Sequence, residues 1–309
     1  MNVFLLTYNE QDLWCEMYPD DFVNKEFKTN NINFIVLDNG NQPKMKEWCA
    51  RHNYIYYASE YNIGSAGGYN WIFKVARAMA LPNAILMQAD VGMTNAQPLI
   101  ITDHFVKHTG STHFACWPQY VDAINWPHCQ ASDGETKLSN LGNLVGFNPK
   151  IMQVKNCYFD DNFVVTHFDD IEFMYYLRMT KKFGHINIPY VLNASSQYNS
   201  HETMAGIKLD TFNIRAETFH LKIHHASQDI DYTLTGEFKN HRPWYNFNKP
   251  YFDQVISLHA KDIFCENGHR LPYDPKRWTK FGYPSHPTAY EITRFFKENP
   301  DLLKIQFCY

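Results

Sequence analysis

The sequence predicts an α/β protein, with a mostly parallel central sheet flanked by helices and a helical, aromatic C-terminal extension. Three observations carry this. Short continuous apolar runs alternate with helix-like stretches through residues 2–90, the pattern of βα units whose strands are covered on both faces. Polar residues collect where the runs end, at Thr7-Tyr8-Asn9, Asp38-Asn39-Gly40 and Gln88-Ala89-Asp90, which places them along one edge of a parallel sheet. The third run is followed by Asn62-Ile63-Gly64-Ser65-Ala66-Gly67-Gly68-Tyr69-Asn70, a glycine turn opening a helix.

In chain order, Asn2–Tyr8 is a buried strand, and Asp12–Phe27 is helical with a break near Pro19. Asn33–Leu37 is the second strand, Lys44–His52 a helix, and Tyr54–Ala58 the third strand. Trp71–Ala80 carries apolar residues at helical spacing, and Ala84–Met87 is the fourth strand. Leu99–His108 is predicted helical, Thr112–Tyr120 and Leu141–Phe147 as strands, and residues 121–140 as a long functional loop. Ile151–Asn156 is a short helix; Phe168-Asp169-Asp170 opens another, and His185–Leu192 is a strand. From Gly206 the composition changes: Leu209–Ile223, Gln254–Phe264 and Thr288–Lys297 are predicted helices, with aromatic residues crowded into Arg242–Tyr251. The expected division is a ligand-binding catalytic domain over 1–205 and an extension over 206–309.

Composition narrows the function classes. With 45% hydrophobic and 19% charged residues in 309, the chain is expected to be globular. A net charge of −4 argues against a generally basic nucleic-acid binder while leaving room for a local patch. The seven cysteines show no CxxC pairing and are expected to be reduced thiols of a cytoplasmic protein. Met1–Tyr8 lacks a basic flank and is expected to be a strand rather than a signal peptide, and no apolar run approaches a membrane span.

Three groups of residues point to chemistry. Three glycines within five positions allow positive φ and close approach of a bulky ligand, and the following helix offers N–H groups to an anion; the alternative is a turn that packs a helix onto a sheet. Asp38, at a strand end, is placed to accept from a ribose or a base N–H, or else simply forms an Asp-Asn-Gly turn. Asp169 and Asp170 lie at a helix N-terminus, where the dipole favours them, as caps or as reactive carboxylates.

In this order the pieces resemble the inverting family 2 nucleotide-sugar glycosyltransferases of the GT-A fold, over roughly residues 2–205. Val3–Asn9 looks like that family's first strand, Phe34–Asn41 its run closing in Asp-Asn, and Asn62–Asn70 its Asn-x-Gly-x-Ala-Gly-Gly-x-Asn signature. Phe168–Phe173, preceded by Phe159-Asp160-Asp161, is similar to the acidic motif holding the catalytic base, and Lys280-Phe281-Gly282 faintly resembles a basic loop near the carboxyl end. One departure stands out: the family's Asp-x-Asp metal motif falls on Gln88-Ala89-Asp90. A Rossmann dinucleotide enzyme would carry its glycines after the first strand; here they follow the third.

The resemblance implies transfer of a sugar from a UDP-sugar to an acceptor hydroxyl. It implies Asp170 as base with Asp169 as the alternative, and donor contacts from Thr7, Tyr8, Asn9, Asp38, Asn39, Asn62, Gly67, Gly68 and Asp90. Asn70 is a structural cap or a ligand. A divalent metal, Mn²⁺ or Mg²⁺, is expected on Asp90 with His201. The aromatic and basic tail, the Asn, Phe, Tyr and Lys content and the lack of an anchor suggest a phage-encoded enzyme of the host cytoplasm. Its expected acceptor is double-stranded DNA carrying hydroxymethylcytosine, glucosylated or arabinosylated, with Arg242, Trp244, Lys276, Arg277, Trp278 and Lys280 on the acceptor side. A bacterial surface-polysaccharide transferase and an inactive GT-A binding module are the alternatives.

Overall fold

A computed structural model of the chain describes residues 1–89, 91–109, 113–116, 119–120, 144–153, 158–165, 168–170, 172–173, 176, 184–187, 192–193, 200–202, 208–209, 214–215, 220–223, 242–261 and 271–303. Strands β1 (Asn2–Thr7), β2 (Asn33–Asp38), β3 (Ile55–Ala58) and β4 (Ala84–Gln88) are all parallel, with β1 between β2 and β4. The central sheet continues through β8 (Leu144–Phe147), antiparallel to both β4 and β6 (His113–Cys116), and ends at β9 (Gly184–Asn187), parallel to β6. The order is β3-β2-β1-β4-β8-β6-β9, a mostly parallel sheet as the sequence predicts.

The strand pleat explains why these runs are apolar throughout. Phe4, Leu6, Ile35, Leu37 and Leu86 enter the core on one face, with Trp71, Ile72, Phe73, Val75 and Ala76 of α4 (Gly64–Ala78). Val3, Leu5, Phe34, Val36, Ile85 and Met87 enter the core on the other. That second face is covered by Trp14 of α1 (Gln11–Met17), Met45 and Trp48 of α3 (Pro43–His52), and Leu99 and Ile101 of α5 (Gln97–Thr109). Helix α2 (Asp20–Phe22) runs on as a π-helical turn over Val23–Lys28, whose Val23 and Phe27 join this layer.

One expectation is corrected here. The stretch predicted as a helix over Leu209–Ile223 contains β12 (Lys208–Leu209), β13 (Ile214–Arg215) and β14 (His220–Ile223). His220-Leu221-Lys222-Ile223 alternates polar and apolar, a strand period. β14 is the middle of a small sheet, antiparallel to β5 (Val91–Met93) and to β11 (Ser200–Glu202). The remaining short strands, β7 (Gln119–Tyr120) and β10 (Leu192–Asn193), pair with each other.

Helices beyond residue 205 add to the core. Helix α6 (Arg242–Lys261) contributes Tyr251, Phe252 and Val255 to the cluster that holds Trp71 and Tyr57. Helix α7 (Lys276–Thr279) buries Trp278, and α8 (Pro287–Glu298) buries Phe295 edge-on to Trp71 at 4.8 Å. Aromatic burial of 150–250 Å² per ring makes these C-terminal helices part of the same hydrophobic unit.

Asn70, on α4, pins the segment that leads into the acidic residues. Its amide donates to the Phe159 carbonyl (3.0 Å) and to Asp161 Oδ1 (2.8 Å), and its carbonyl accepts from Phe159 N (2.8 Å). The side chain is fully buried, which settles it as a structural anchor. Asn70→Ala removes three bonds and leaves buried groups unpaired, so we expect a loss of about 3 kcal/mol in unfolding free energy at unchanged denaturant slope. A loss below about 0.5 kcal/mol in urea titration, typical of surface changes, contradicts this role.

Candidate active site at the carboxyl edge of the sheet

The chain order reverses between β1 and β4, because β2 and β3 lie on one side of β1 and β4 on the other. At such a switch point the loops diverge and leave a crevice outside the carboxyl ends of the strands. Thr7, Asp38, Ala58 and Gln88 end the four strands there.

Most polar groups along this edge are occupied by one another. Thr7 is buried; its hydroxyl donates to Glu10 Oε2 at 3.0 Å and accepts from Gln42 Nε2 at 3.3 Å. Glu10 also takes the Tyr8 N–H, while Asn9 turns the chain with φ +63°. Tyr8 itself points outward, 42% exposed.

Asp38 is wholly buried, and both oxygens are filled. Oδ1 accepts from Gly40 N and Gln42 Nε2, both at 2.8 Å; Oδ2 accepts from Gln42 N at 2.6 Å and the Tyr56 hydroxyl at 2.8 Å. A carboxylate has about four acceptor sites, so Asp38 forms the turn and offers no free oxygen to a base or ribose. Asn39 is likewise internal, donating to Gly64 O at 3.2 Å and accepting from Ser59 Oγ at 3.1 Å. Asn62 caps α4 by accepting from Gly64 N at 2.9 Å.

The glycines correct a second expectation. The helix begins at Gly64, so Gly67 and Gly68 lie within α4. A Cβ on Gly67 would stand 2.8 Å from Thr288 Oγ1, and one on Gly68 2.7 Å from Leu6 Cδ1. Both positions are tight against α8 and β1 and have no room for a side chain. Gly64 is the position that needs glycine: φ is +73°, and a Cβ would come within 2.1 Å of the Val165 carbonyl oxygen. Ser65 N donates to that same oxygen at 2.8 Å.

That contact brings the acidic pair to the first turn of α4. Val165 and Phe168 both have positive φ, +62° and +72°. Such a conformation is rare for non-glycine residues and an outlier for a β-branched one. Phe168 stacks on Phe252 at 4.7 Å, and Phe173 on Phe159 at 4.1 Å. Asp169, 3% exposed, lies in this aromatic wall, and its Oδ2 is buried with no hydrogen-bond partner among the described residues. Burial, then the charge of Asp170, pushes its carboxyl up to about 7, while a hydrogen bond from the Ser65 hydroxyl pulls the other way and Glu172 adds a smaller upward push. Asp170 beside it is half-buried.

The other acidic motif is structural. Asp160 accepts from the Tyr251 hydroxyl (2.5 Å) and Asn162 N (3.0 Å), and Asp161 accepts from Asn70 and from Thr288 Oγ1 (3.2 Å). On the C-terminal side, Arg277 and Trp278 bond within the chain. The Arg277 guanidinium donates to Asn162 O (2.7 Å) and Asn248 Oδ1 (3.1 Å) between the rings of Phe247 and Tyr251, and the fully buried Trp278 donates to Asp161 O (2.7 Å). Lys276 and Lys280 are exposed and Trp244 is half-buried, edge-on to Phe281 at 4.8 Å; Arg242 opens α6, its side chain lying outside the described residues.

For a metal, the donors described here are too few. Gln88 donates its amide to the Tyr69 hydroxyl, leaving one carbonyl oxygen, and no group of three His, Cys, Asp or Glu gathers among the described residues. Asp90 and the His201 side chain lie outside the described residues, as does the predicted 121–140 loop. Strand β11 places His201 opposite Leu221, which pairs with Met93 just beyond Asp90.

No family model and no curated protein matches the sequence. Among solved structures, the chain is similar to a mannosyltransferase from Pyrobaculum calidifontis in complex with GDP-Man and Mn²⁺, at 14% identity and TM-score 0.44, over 97% of this chain and 87% of that one. It is also similar to glucosyl-3-phosphoglycerate synthase from Mycobacterium tuberculosis with Mn²⁺, UDP and phosphoglyceric acid, at 11% identity and TM-score 0.44, over 68% and 72%. TarS of S. aureus is matched at 11% identity and TM-score 0.41 over 63% of this chain, which spans only 36% of the TarS chain.

The raised carboxyl of Asp169 has a consequence for stability. Below the unfolded carboxyl value both states hold the proton. As pH rises toward about 7 the unfolded chain ionises first, so the folded state is progressively penalised. At about 1.4 kcal/mol per unit, Asp169→Asn should gain roughly 2 kcal/mol or more relative to the parent between about pH 5 and pH 8, measured by urea unfolding. A difference independent of pH contradicts the assignment.

Proposed function

We propose that the chain is a glycosyltransferase that moves a sugar from a nucleoside diphosphate, UDP first, to an acceptor hydroxyl with inversion. The observation that carries this is the acid pair Asp169–Asp170, set against the first turn of α4 beside the switch-point crevice, one member buried with an unfilled oxygen. Two neighbouring carboxylates whose mutual charge disfavours full ionisation are suited to accept a proton near neutral pH.

In the proposed reaction the acceptor oxygen forms its bond to the anomeric carbon from the face opposite the leaving group. The bond from that carbon to the diphosphate breaks, and the diphosphate departs with the electron pair. The acceptor proton passes to a carboxylate. Asp170 takes it, because it is partly open to solvent, whereas Asp169 Oδ2 is closed off. Asp169 stands behind it; its carboxyl, raised to about 7 by burial and by the charge of Asp170, is partly protonated near neutral pH. Tyr8 and Asn9, exposed just beyond the end of β1, offer the nucleotide an open face among the described residues. Thr7, Asp38, Asn39 and Asn62 shape the loops that bound the pocket. Mn²⁺ or Mg²⁺ at Asp90 and His201 would, when bound, neutralise the departing diphosphate.

For the acceptor, the surface residues Lys276, Lys280 and Trp244 are what supports hydroxymethylcytosine DNA, now without Arg277 and Trp278. Gln88, tied to Tyr69, favours a second reading in which the chain binds a nucleotide without turnover.

The test is release of nucleoside diphosphate from a panel of UDP- and GDP-sugars, with hydroxymethylcytosine duplex, free sugars and lipid-linked sugars as separate acceptors. Turnover that falls by about 10² or more in Asp170→Asn with nucleotide binding retained supports the proposal. Nucleotide binding with no release from any donor supports the inactive module instead.

A further inference from the structure

The C-terminal helix carries a fully buried carboxylate that the reaction above does not use. Glu291 of α8 has no exposed surface, yet its oxygens accept three hydrogen bonds from the N-terminal part of the chain and one from its own helix. Oε1 accepts from two successive backbone amides, Glu60 N and Tyr61 N, each at 2.9 Å. Oε2 accepts from the Tyr57 hydroxyl at 2.5 Å and from Arg294 Nη1 at 3.1 Å. Arg294 also donates to the Ala58 carbonyl at 2.8 Å. A carboxylate receiving two consecutive N–H groups holds a loop in one conformation, and charge-assisted bonds are about twice as strong as neutral ones.

The residues it holds are the end of β3 and the loop entering α4. That loop is fixed again at Ser59, which donates N–H to Asp38 O (3.0 Å), and at Asn62, which caps Gly64. The next residue, Ser65, binds Val165 and Asp169. Helix α8 touches the same turn directly, through Thr288 against Gly67 and against Asp161. The path from Glu291 to the acid pair therefore runs through contacts a few residues apart.

We propose that Glu291 is a positioning residue: it fixes the 59–63 loop, and with it the first turn of α4, so that Ser65 stays bonded to the Val165 carbonyl and against Asp169. This makes α8 part of the active unit. The inference rests on the reading of that pair as the reactive site.

The groups facing Asp169 are Asp170 and Glu172 of its own segment and Ser65 of α4. Those facing Glu291 are Tyr57, Arg294 and the amides of Glu60 and Tyr61, with Tyr290 and Glu60 paired at the surface (2.5 Å). If the loop loosens, Asp169 loses the donor that opposes its upward push.

The experiment is a ¹³C-carboxyl titration of Asp169 in the full chain, the resonance identified by Asp169→Asn, alongside nucleoside diphosphate release across pH. Glu291→Gln, which cannot accept all four donors, should move the Asp169 midpoint up by about half a pH unit or more. Tyr57→Phe leaves the two amide contacts in place; it should lower the melting temperature without moving the midpoint. If Glu291→Gln does not fold, Arg294→Met tests the same clamp and should give a smaller shift of the same sign. A lowered melting temperature with an unmoved midpoint in Glu291→Gln, or in Arg294→Met where that is used, overturns the proposal. A shifted midpoint in a chain that turns over no donor keeps the clamp and removes the functional reading; turnover with an unmoved midpoint does the reverse.

Discussion

The structure depends on one close approach, that of Gly64 to the backbone of Val165. No side chain fits between them, and the distance is held by Ser65 N on the Val165 carbonyl. Because Gly64 is also the first residue of α4 and is gripped by Asn39 and Asn62, this contact ties the ends of β2 and β3 to the segment carrying the acid pair. Aromatic stacking of Phe168 on Phe252 and Phe173 on Phe159 keeps water from Asp169 on the other side. A strained, glycine-dependent junction next to a buried carboxylate is where a fold stores the energy of a working site.

Around that junction the polar residues are mutually satisfied. Asp38, Asn39, Thr7, Gln42, Ser59 and Glu10 form a hydrogen-bonded frame across the ends of three strands. The frame is preorganised, so a ligand entering the crevice would not need to order these loops, which removes part of the entropy of binding. The helices after residue 240 complete it. Glu291 and Arg294 bond to β3 and its loop, Thr288 to Asp161, and Arg277 and Trp278 to residues 161–162.

The sheet was legible in the sequence wherever local pattern decides structure. The runs that became β1, β2, β3 and β4 are apolar without alternation because both faces are covered, and they lie within two residues of their expected ends. Legibility failed where the partner is distant. Gly67 and Gly68 look like a phosphate turn in sequence, yet their neighbours are Thr288 and Leu6. Asp38 has the type and place of a ligand, but Gln42 and Tyr56 consume it. Arg277 and Trp278 read as a basic aromatic surface, yet Trp278 is core and Arg277 half-buried, each bonded to the 161–162 backbone. Glu10 and Gln42 could have been found from their spacing after the strand ends; nothing local marks Glu291, whose partners lie some 230 residues away. The helix expected over Leu209–Ile223 fails for a different reason: residues 220–223 alternate with a period of two and pair with β5.

The central claim is that the carboxyl edge of β1 and β4 receives a nucleoside diphosphate in front of Asp170. A crystal structure of the chain with UDP tests it most directly. The account places the base near Tyr8 and the diphosphate in the crevice between the ends of β1 and β4, on the side of Asp170. UDP bound at the amino ends of the strands, or across α6 with the Asp169–Asp170 pair remote from the diphosphate, would contradict it.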